Sequence, residues 1–242
     1  MYDNKIIYGK KPVIEAVAAS KSIGKVYINR DLNKRSINDL LDSLRKNLIP
    51  YSFVPLQKLN RLTTNNHQGV VAHLSEIFYS SLEQLIENHD KNALFVLLDG
   101  ITDTRNMGAI IRSASAAKAT AVVIPTHGSA QITGETVKSS AGGVFKIPIC
   151  RVNHLKDAIY LFHSCNIKSI AADEKASDYI FDSDLRCPLA IVMGSEDKGI
   201  SNSLKKSCMY KASLPILGDM NSYNVSVAAG MFIYEVIRQR LK

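Results

Sequence analysis

The sequence predicts an α/β protein in two parts, a small N-terminal α/β unit followed by a larger domain built on a parallel sheet. Three observations carry that prediction. From residue 93 onward, runs that are apolar throughout (93–98, 121–124, 167–172 and 189–193) recur between helical patterns, and strands without polar alternation belong in a parallel sheet covered on both faces. Before residue 78, shorter β-type runs alternate with helical patterns of their own. The 242 residues, 46% hydrophobic and 21% charged with a mean hydropathy of -0.02, have an ordinary globular composition and length enough for a small domain joined to a medium one.

In the first unit, helices are expected over Val13 to Ala18, Arg35 to Asn47 and Leu56 to Leu62, and strands over Lys25 to Ile28, Tyr51 to Val54 and Val70 to Ala72. The polar segment Tyr79 to Asn92, helical in character at Leu82, Leu85 and Ile86, precedes a sharp change in composition and reads as a linker. The expected units are therefore 1–78, a linker over 79–92, and 93–242. A last helix, from about Ser222 to Leu241, sets Val225, Ala228, Phe232 and Val236 on one side, a stripe that packs against the sheet or another subunit. No internal repeat or low-complexity tract interrupts this plan.

Charge separates the two parts. The chain carries a formal +8, and residues 1–78 hold 12 basic and 6 acidic side chains against 18 and 16 in the remainder. The basic first unit suits a polyanionic partner, with Lys10, Lys11, Arg30, Lys34, Arg35, Arg45, Lys46 and Arg61 as candidate phosphate contacts, about half of them simply solvated surface. No apolar run approaches the ~20 residues of a bilayer crossing, and the N-terminus lacks a signal-peptide stretch. A cytoplasmic protein without a membrane partner is expected. The spacing of Cys150, Cys165, Cys187 and Cys208 fits neither a zinc knuckle nor a redox pair, so the thiols read as reduced and mostly buried. The six histidines show no metal-ligand spacing and no metal is assigned; His67 reads as stabilising a turn, with an RNA contact as the alternative.

Three loops follow apolar strands, where open parallel sheets bind ligands. The first runs from Asp99 and Gly100 to Asn106, Gly108 and Arg112; taken alone, Asn106 reads equally as a helix cap, Gly108 as a close-packing residue and Arg112 as a solvated charge. The second reads Gly194-Ser195-Glu196-Asp197-Lys198-Gly199, a turn suited to presenting backbone amides, without the Lys and Ser/Thr of a P-loop after Gly199. The third runs from Pro215 to Ser222-Tyr223-Asn224-Val225; Ser222 fits a cap for the last helix, and Asn224 is a poor helix former in its first turn. Gly100 and Gly108 are too far apart for a G-x-G-x-x-G dinucleotide fingerprint.

In this order the loops resemble the three signature motifs of the SpoU/TrmH branch of the SPOUT RNA methyltransferases: Asn106-x-Gly108-x-x-x-Arg112, Gly194-Ser195-Glu196-x-x-Gly199, and Leu214-Pro215 through Ser222-Tyr223-Asn224-Val225-Ser226-Val227. The similarity covers roughly Leu94 to Arg240. Tyr8-Gly9-x-x-Pro12-Val13-x-Glu15-Ala16-Val17 and His67-Gln68-Gly69-Val70-Val71-Ala72 resemble pieces of the substrate-binding domain of many such enzymes, a ribosomal-protein-like RNA-binding fold. The resemblance implies a C-terminal trefoil knot, against the rarity of knots, S-adenosylmethionine as methyl donor, and a homodimer formed through the methyltransferase domains.

It further implies transfer of a methyl group to a ribose 2′-hydroxyl in RNA, with a guanosine of 23S ribosomal RNA the first expectation and tRNA the second. By the same carry-over, Asn106, Arg112, Glu196, Ser222 and Asn224 line the catalytic pocket, and backbone groups of Gly194, Leu214 and Tyr223 hold the cofactor; Tyr223 stands where the family more often has Leu. A guanidinium stays protonated at neutral pH, so Arg112 is expected to stabilise the developing alkoxide and contact a phosphate at least as much as to remove a proton. Competing readings are a catalytically inactive RNA-binding protein of the same fold, and a small-molecule methyltransferase or dehydrogenase on an unknotted sheet. The intact motifs disfavour the first, and the missing dinucleotide fingerprint and basic first unit disfavour the second.

Overall fold

A computed structural model describes residues 6–18, 23–74 and 79–241. The first unit is a four-stranded sheet of β1 (Ile6–Tyr8), β2 (Ile23–Asn29), β3 (Tyr51–Val54) and β4 (Val70–Leu74), ordered β1-β4-β2-β3. The β1 and β2 strands pair antiparallel with β4, while β2 and β3 run parallel. The period-two alternation of β2 and β4 sends Val26, Ile28, Val70 and Ala72 to one face. There α1 (Lys10–Ala18) and α2 (Asn38–Lys46) cover them with Val13, Ala16, Val17, Leu40 and Leu44. On the other face α3 (Leu56–Leu62) buries Leu59 beside Ile6, Tyr8, Val54 and Val71. The expected helix from Arg35 divides into a 3-10 turn, Lys34–Ile37, and α2. The side chain of Lys34 and the boundary residues 75–78 lie outside the described residues.

His67 is a turn residue. Gln68 and Gly69 both take left-handed backbone angles; the His67 Nδ1 accepts from the Gly69 amide at 2.9 Å and its Nε2 faces Asn60 Oδ1 at 2.9 Å. Nδ1 is thus an acceptor, and the ring proton sits on Nε2.

The segment expected to link the units is itself packed. Ser80 bridges Cys150, and α4 (Leu82–Glu87) buries Leu82 and Ile86 in the second unit. That unit is a six-stranded parallel sheet, β5 (Leu94–Asp99), β6 (Ala121–Pro125), β7 (Ile149–Val152), β8 (Lys168–Ala172), β9 (Leu189–Gly194) and β10 (Tyr210–Ala212), in the order β10-β8-β9-β5-β6-β7. On one face lie α5 (Thr104–Ala116), α6 (Gly134–Ser139) and α9 (Val225–Arg240), and on the other α4, α7 (Leu155–Ser164) and α8 (Asn202–Ser207). Along β5, Leu94, Val96 and Leu98 face the first group while Phe95 and Leu97 face the second, where Phe95 stacks at 4.8 Å on Phe162.

The central strands β5 and β9 are neighbours, yet the helices that follow them lie on opposite faces. Such a switch point opens a crevice at the carboxyl ends of the two strands.

The two units share a core, since one apolar cluster runs from Ile7 and Val17 to Met107 and Val137. At their junction Gly134 lies against the Ile6 carbonyl, where a Cβ would come within 1.8 Å of the oxygen. Tyr8 donates from its hydroxyl to Glu135, and burial together with that carboxylate pushes the phenol well above its ordinary range.

Of the four free cysteines only Cys150 is fully buried, the other three being half-buried. The expectation of mostly buried thiols therefore holds for one, because Cys165 and Cys208 cap helix ends and Cys187 lies in the loop before β9. Among the described residues no helix is long and apolar enough to cross a membrane.

Candidate active site

The three loops meet at the β5/β9 crevice. In the first, Asp103 caps α5, its carboxylate accepting the Arg105 amide at 2.7 Å. Asn106 therefore lies inside the first turn, and its carboxamide is not used in capping. Gly108 permits close approach of α6, because a Cβ there would sit 1.9 Å from Ser139 Oγ.

The second loop closes on itself. Ser195 and Gly199 exchange backbone hydrogen bonds of 3.2 and 2.9 Å, so these two amides are spent within the turn rather than presented to a ligand. Gly199 takes φ +63°, and Gly194 has no room for a Cβ, which would meet Gly199 C at 2.1 Å. Asp99, a residue that sequence reasoning quoted without a role, fastens the loop to β5 by accepting the Ser201 amide at 2.8 Å. Its position at a strand's carboxyl end was the available signal.

In the third loop Asn224, not Ser222, caps α9: its Oδ1 accepts the amides of Ser226 and Val227 at 3.0 and 3.4 Å. The capping geometry leaves the Asn224 Nδ2 pointing back at the other loops, where it donates to Asn106 Oδ1 at 3.2 Å and to Glu196 Oε1. Asn106 Nδ2 donates to the same Glu196 oxygen at 3.0 Å. Asn106, Glu196 and Asn224 thus form a closed polar triangle drawn from three loops. The Tyr223 hydroxyl donates to the Pro215 carbonyl at 3.0 Å and ties the two ends of its loop.

Beside the triangle lies a narrow pocket with a cavity volume of about 80 Å³. Gly194, Leu214, Ser222 and Tyr223 line it together with Glu196, and its floor is Met193, Ala212, Ala228 and Phe232. Sequence reasoning missed Asp173 and Glu174, which follow β8 and line the same pocket. Burial pushes the Asp173 carboxyl up, but Lys205, 2.8 Å away, and the Lys175 amide outweigh that and hold it below its ordinary value. Asp173 is therefore ionised at neutral pH, its charge met by Lys205, with Glu174 beside it on the pocket wall. An apolar floor with main-chain and side-chain oxygens around it fits an adenosyl ligand.

Arg112 does not join the triangle. It is exposed and has no hydrogen-bond or ion-pair partner among the described residues, and its Cα packs beside Gly143. Glu196 bonds Asn106 and not Arg112.

On α9, Val225, Phe232 and Val236 are buried in the chain's own core together with Ala229 and Ile233. The opposite side exposes Val227, Met231 and Tyr234, which line a shallow apolar groove with Phe181 and Pro215.

Residues 93–234 match the model of the SpoU rRNA Methylase family, and residues 6–80 match that of the RNA 2′-O ribose methyltransferase substrate-binding domain. A Staphylococcus haemolyticus protein placed in the TrmH family of tRNA/rRNA methyltransferases is 36% identical over 240 residues, covering 97% of this chain and 96% of its own. The Bacillus subtilis protein YacO, placed in the same family, is 32% identical, with 97% and 95% covered. Among solved structures, the SpoU methyltransferase AviRb from Streptomyces viridochromogenes in complex with AdoMet superposes with a TM-score of 0.85 at 27% identity, covering 98% of this chain and 90% of that one. The AdoMet-bound rRNA methyltransferase from Sinorhizobium meliloti gives 0.82 at 25%, with 98% and 88% covered.

Proposed function

The chain belongs to the SpoU rRNA Methylase family, and from that premise we propose that it transfers a methyl group from S-adenosylmethionine to a ribose 2′-hydroxyl of RNA, a guanosine of 23S ribosomal RNA in the first instance. One observation carries this reading. Glu196 belongs both to the polar triangle and to the lining of the adjoining pocket, so a hydroxyl held by Asn106 and Asn224 stands at the mouth of the pocket.

S-adenosylmethionine, when bound, supplies an electrophilic methyl group on a cationic sulfur. Main-chain groups of Gly194, Leu214 and Tyr223 hold its adenine edge. Glu196 fixes the two carboxamides, and these orient the ribose hydroxyl in line with the methyl; Ser222, at the pocket wall, contacts the ribose. Arg112 has no partner among the described residues, which leaves its guanidinium available for a neighbouring phosphate and the developing alkoxide. The exposed basic side chains of the first unit, such as Lys11, Arg30, Arg35 and Arg61, grip the RNA backbone.

The same reading places the enzyme in the cytoplasm, consistent with its free thiols. It pairs two copies over the exposed apolar side of α9 and includes a C-terminal knot. Transfer of labelled methyl groups to ribosomal RNA or tRNA, followed by nuclease digestion and nucleoside chromatography, tests it. 2′-O-methylguanosine in the large-subunit RNA is the expected product. Label in tRNA alone would move the substrate, and label on a base would overturn the ribose assignment.

A further inference from the structure

A second cleft opens at the carboxyl ends of β5, β6 and β7, on the far side of Gly100 from the pocket beside the triangle. It has a volume of about 350 Å³ and is lined by His127, Asn153, His154, Lys156 and Ser203 among others. The two cavities share a thin wall: Gly100 lines the cleft, Ser195 lines the pocket, and a Cβ on Gly100 would touch Ser195 Cβ at 3.6 Å. The Asp99 carboxylate in this wall is engaged by the Ser201 amide.

The polar groups facing the cleft are largely unused. Neither imidazole has a hydrogen-bond partner among the described residues, and both are exposed. Asn153 Oδ1 accepts from Thr126 Oγ1 at 3.2 Å, leaving its Nδ2 hydrogens free. At the rim, Lys156 Nζ lies 5.6 Å over the Tyr160 ring. Two flat imidazoles, a free amide donor and a rim cation provide stacking faces, edge hydrogen bonds and phosphate attraction at once. That combination is the chemistry by which proteins hold splayed, single-stranded bases.

We propose that this cleft receives an unpaired nucleobase of the substrate RNA next to the nucleotide whose ribose is methylated. The proposal rests on the RNA-methyltransferase reading. Stacking on His127 or His154 anchors the base, Asn153 reads its edge, and Lys156 holds the adjoining phosphate. The cleft then fixes the register of the strand, so that the target ribose and not its neighbour reaches Asn106 and Asn224.

The test uses the full chain and two readouts. Histidine ring resonances are followed by NMR on adding an unstructured single-stranded RNA 12-mer, and separately S-adenosylmethionine. RNA is expected to shift His127 and His154, and the cofactor to leave both in place. His127→Ala and His154→Ala are expected to raise KM for RNA about tenfold each and to spread methylation to the neighbouring ribose, with cofactor affinity within about twofold. Unshifted imidazoles with RNA, or an unchanged KM in both variants, would overturn the proposal while methyl transfer by the wild type left the enzyme reading intact. Absence of wild-type transfer to any RNA would instead strike the underlying reading.

Discussion

Asn106 and Glu196, 90 residues apart in sequence, are joined by a 3.0 Å hydrogen bond from the carboxamide Nδ2 to Oε1, across the crevice between β5 and β9. Because the same oxygen also accepts from Asn224, one carboxylate sets two donors. Replacing Asn106 with Asp places two carboxylates face to face and removes a donor. Asn106→Asp is expected to lose at least a hundredfold in kcat, the order seen when a positioning or charge-stabilising donor is removed. Cofactor affinity should change little; unchanged turnover in a methyl-transfer assay would remove the triangle from the mechanism.

Asn224 has two separable duties. Its Oδ1 caps α9 and its Nδ2 completes the triangle. Asn224→Ala loses both, costing about 1 kcal/mol of stability together with activity. Asn224→Ser keeps a capping oxygen without the donor, so its urea midpoint should stay near wild type while turnover falls as far as in the Ala variant. Wild-type turnover in the Ser variant would show that the side chain acts only as a cap.

Gly108 and Ser139 set how closely α5 and α6 approach. A Cβ at Gly108 would meet Ser139 Oγ at 1.9 Å and the Ser140 amide nitrogen at 3.0 Å, so Gly108→Ala should destabilise by about 1–3 kcal/mol through overpacking. Adding Ser139→Gly removes the nearer clash, and the double variant should recover part of the lost melting temperature. A double variant no better than Gly108→Ala would place the strain elsewhere.

These contacts mark where the sequence was legible and where it was not. The runs that became β5, β6 and β9 were readable because they are apolar at every position, as burial on both faces demands. The β7 strand was missed because it is four residues long and its exposed Arg151 breaks the run. The family resemblance singled out Asn106, Glu196 and Asn224, which the structure brings into contact, yet spacing could not foresee that Arg112 stands apart. Six residues along a helix is about 9 Å of rise and about 120° of rotation away from Asn106, so motif membership did not imply contact. The docking of Gly134 on the Ile6 carbonyl left no local pattern, since it joins residues from different units.

Two thiols predict an alkaline limit. Burial pushes Cys150 up to about 12 and Cys208 up to about 11, against ~8.5 for an unfolded thiol. Above pH ~8.5 the unfolded chain releases protons that the folded chain keeps, so stability is intact below that pH and falls as pH rises toward 11. Urea midpoints from pH 7 to 10.5 should decline, and the Cys150→Ala, Cys208→Ala double variant should show a shallower slope. Parallel slopes would assign the decline to other groups.

The end of α9 is held by Arg240 beside Gln239, whose side chain bonds Ser183 and Leu185. The Arg240 guanidinium donates from Nε to the Leu185 carbonyl at 3.1 Å, from Nη2 to the carbonyls of Cys187 and Ala93 at 2.7 and 3.2 Å, and from Nη1 to that of Asn92. Burial lowers its pKa from the ordinary value. It bridges the approach to β5 and the approach to β9, the two strands that form the crevice. Arg240→Met keeps much of the apolar stem but orphans several carbonyls, each costing about 1–3 kcal/mol when left unpaired and dry; after partial rehydration a loss of about 3 kcal/mol is expected. A Lys presents three donors in place of a planar fork of five, so Arg240→Lys should recover less than half of that loss. Since α9 also supplies Asn224 and the pocket residues Ala228 and Phe232, the Met variant should weaken cofactor binding at temperatures where the chain is still folded. A variant that melts early but binds the cofactor as tightly as wild type would confine Arg240 to stability alone.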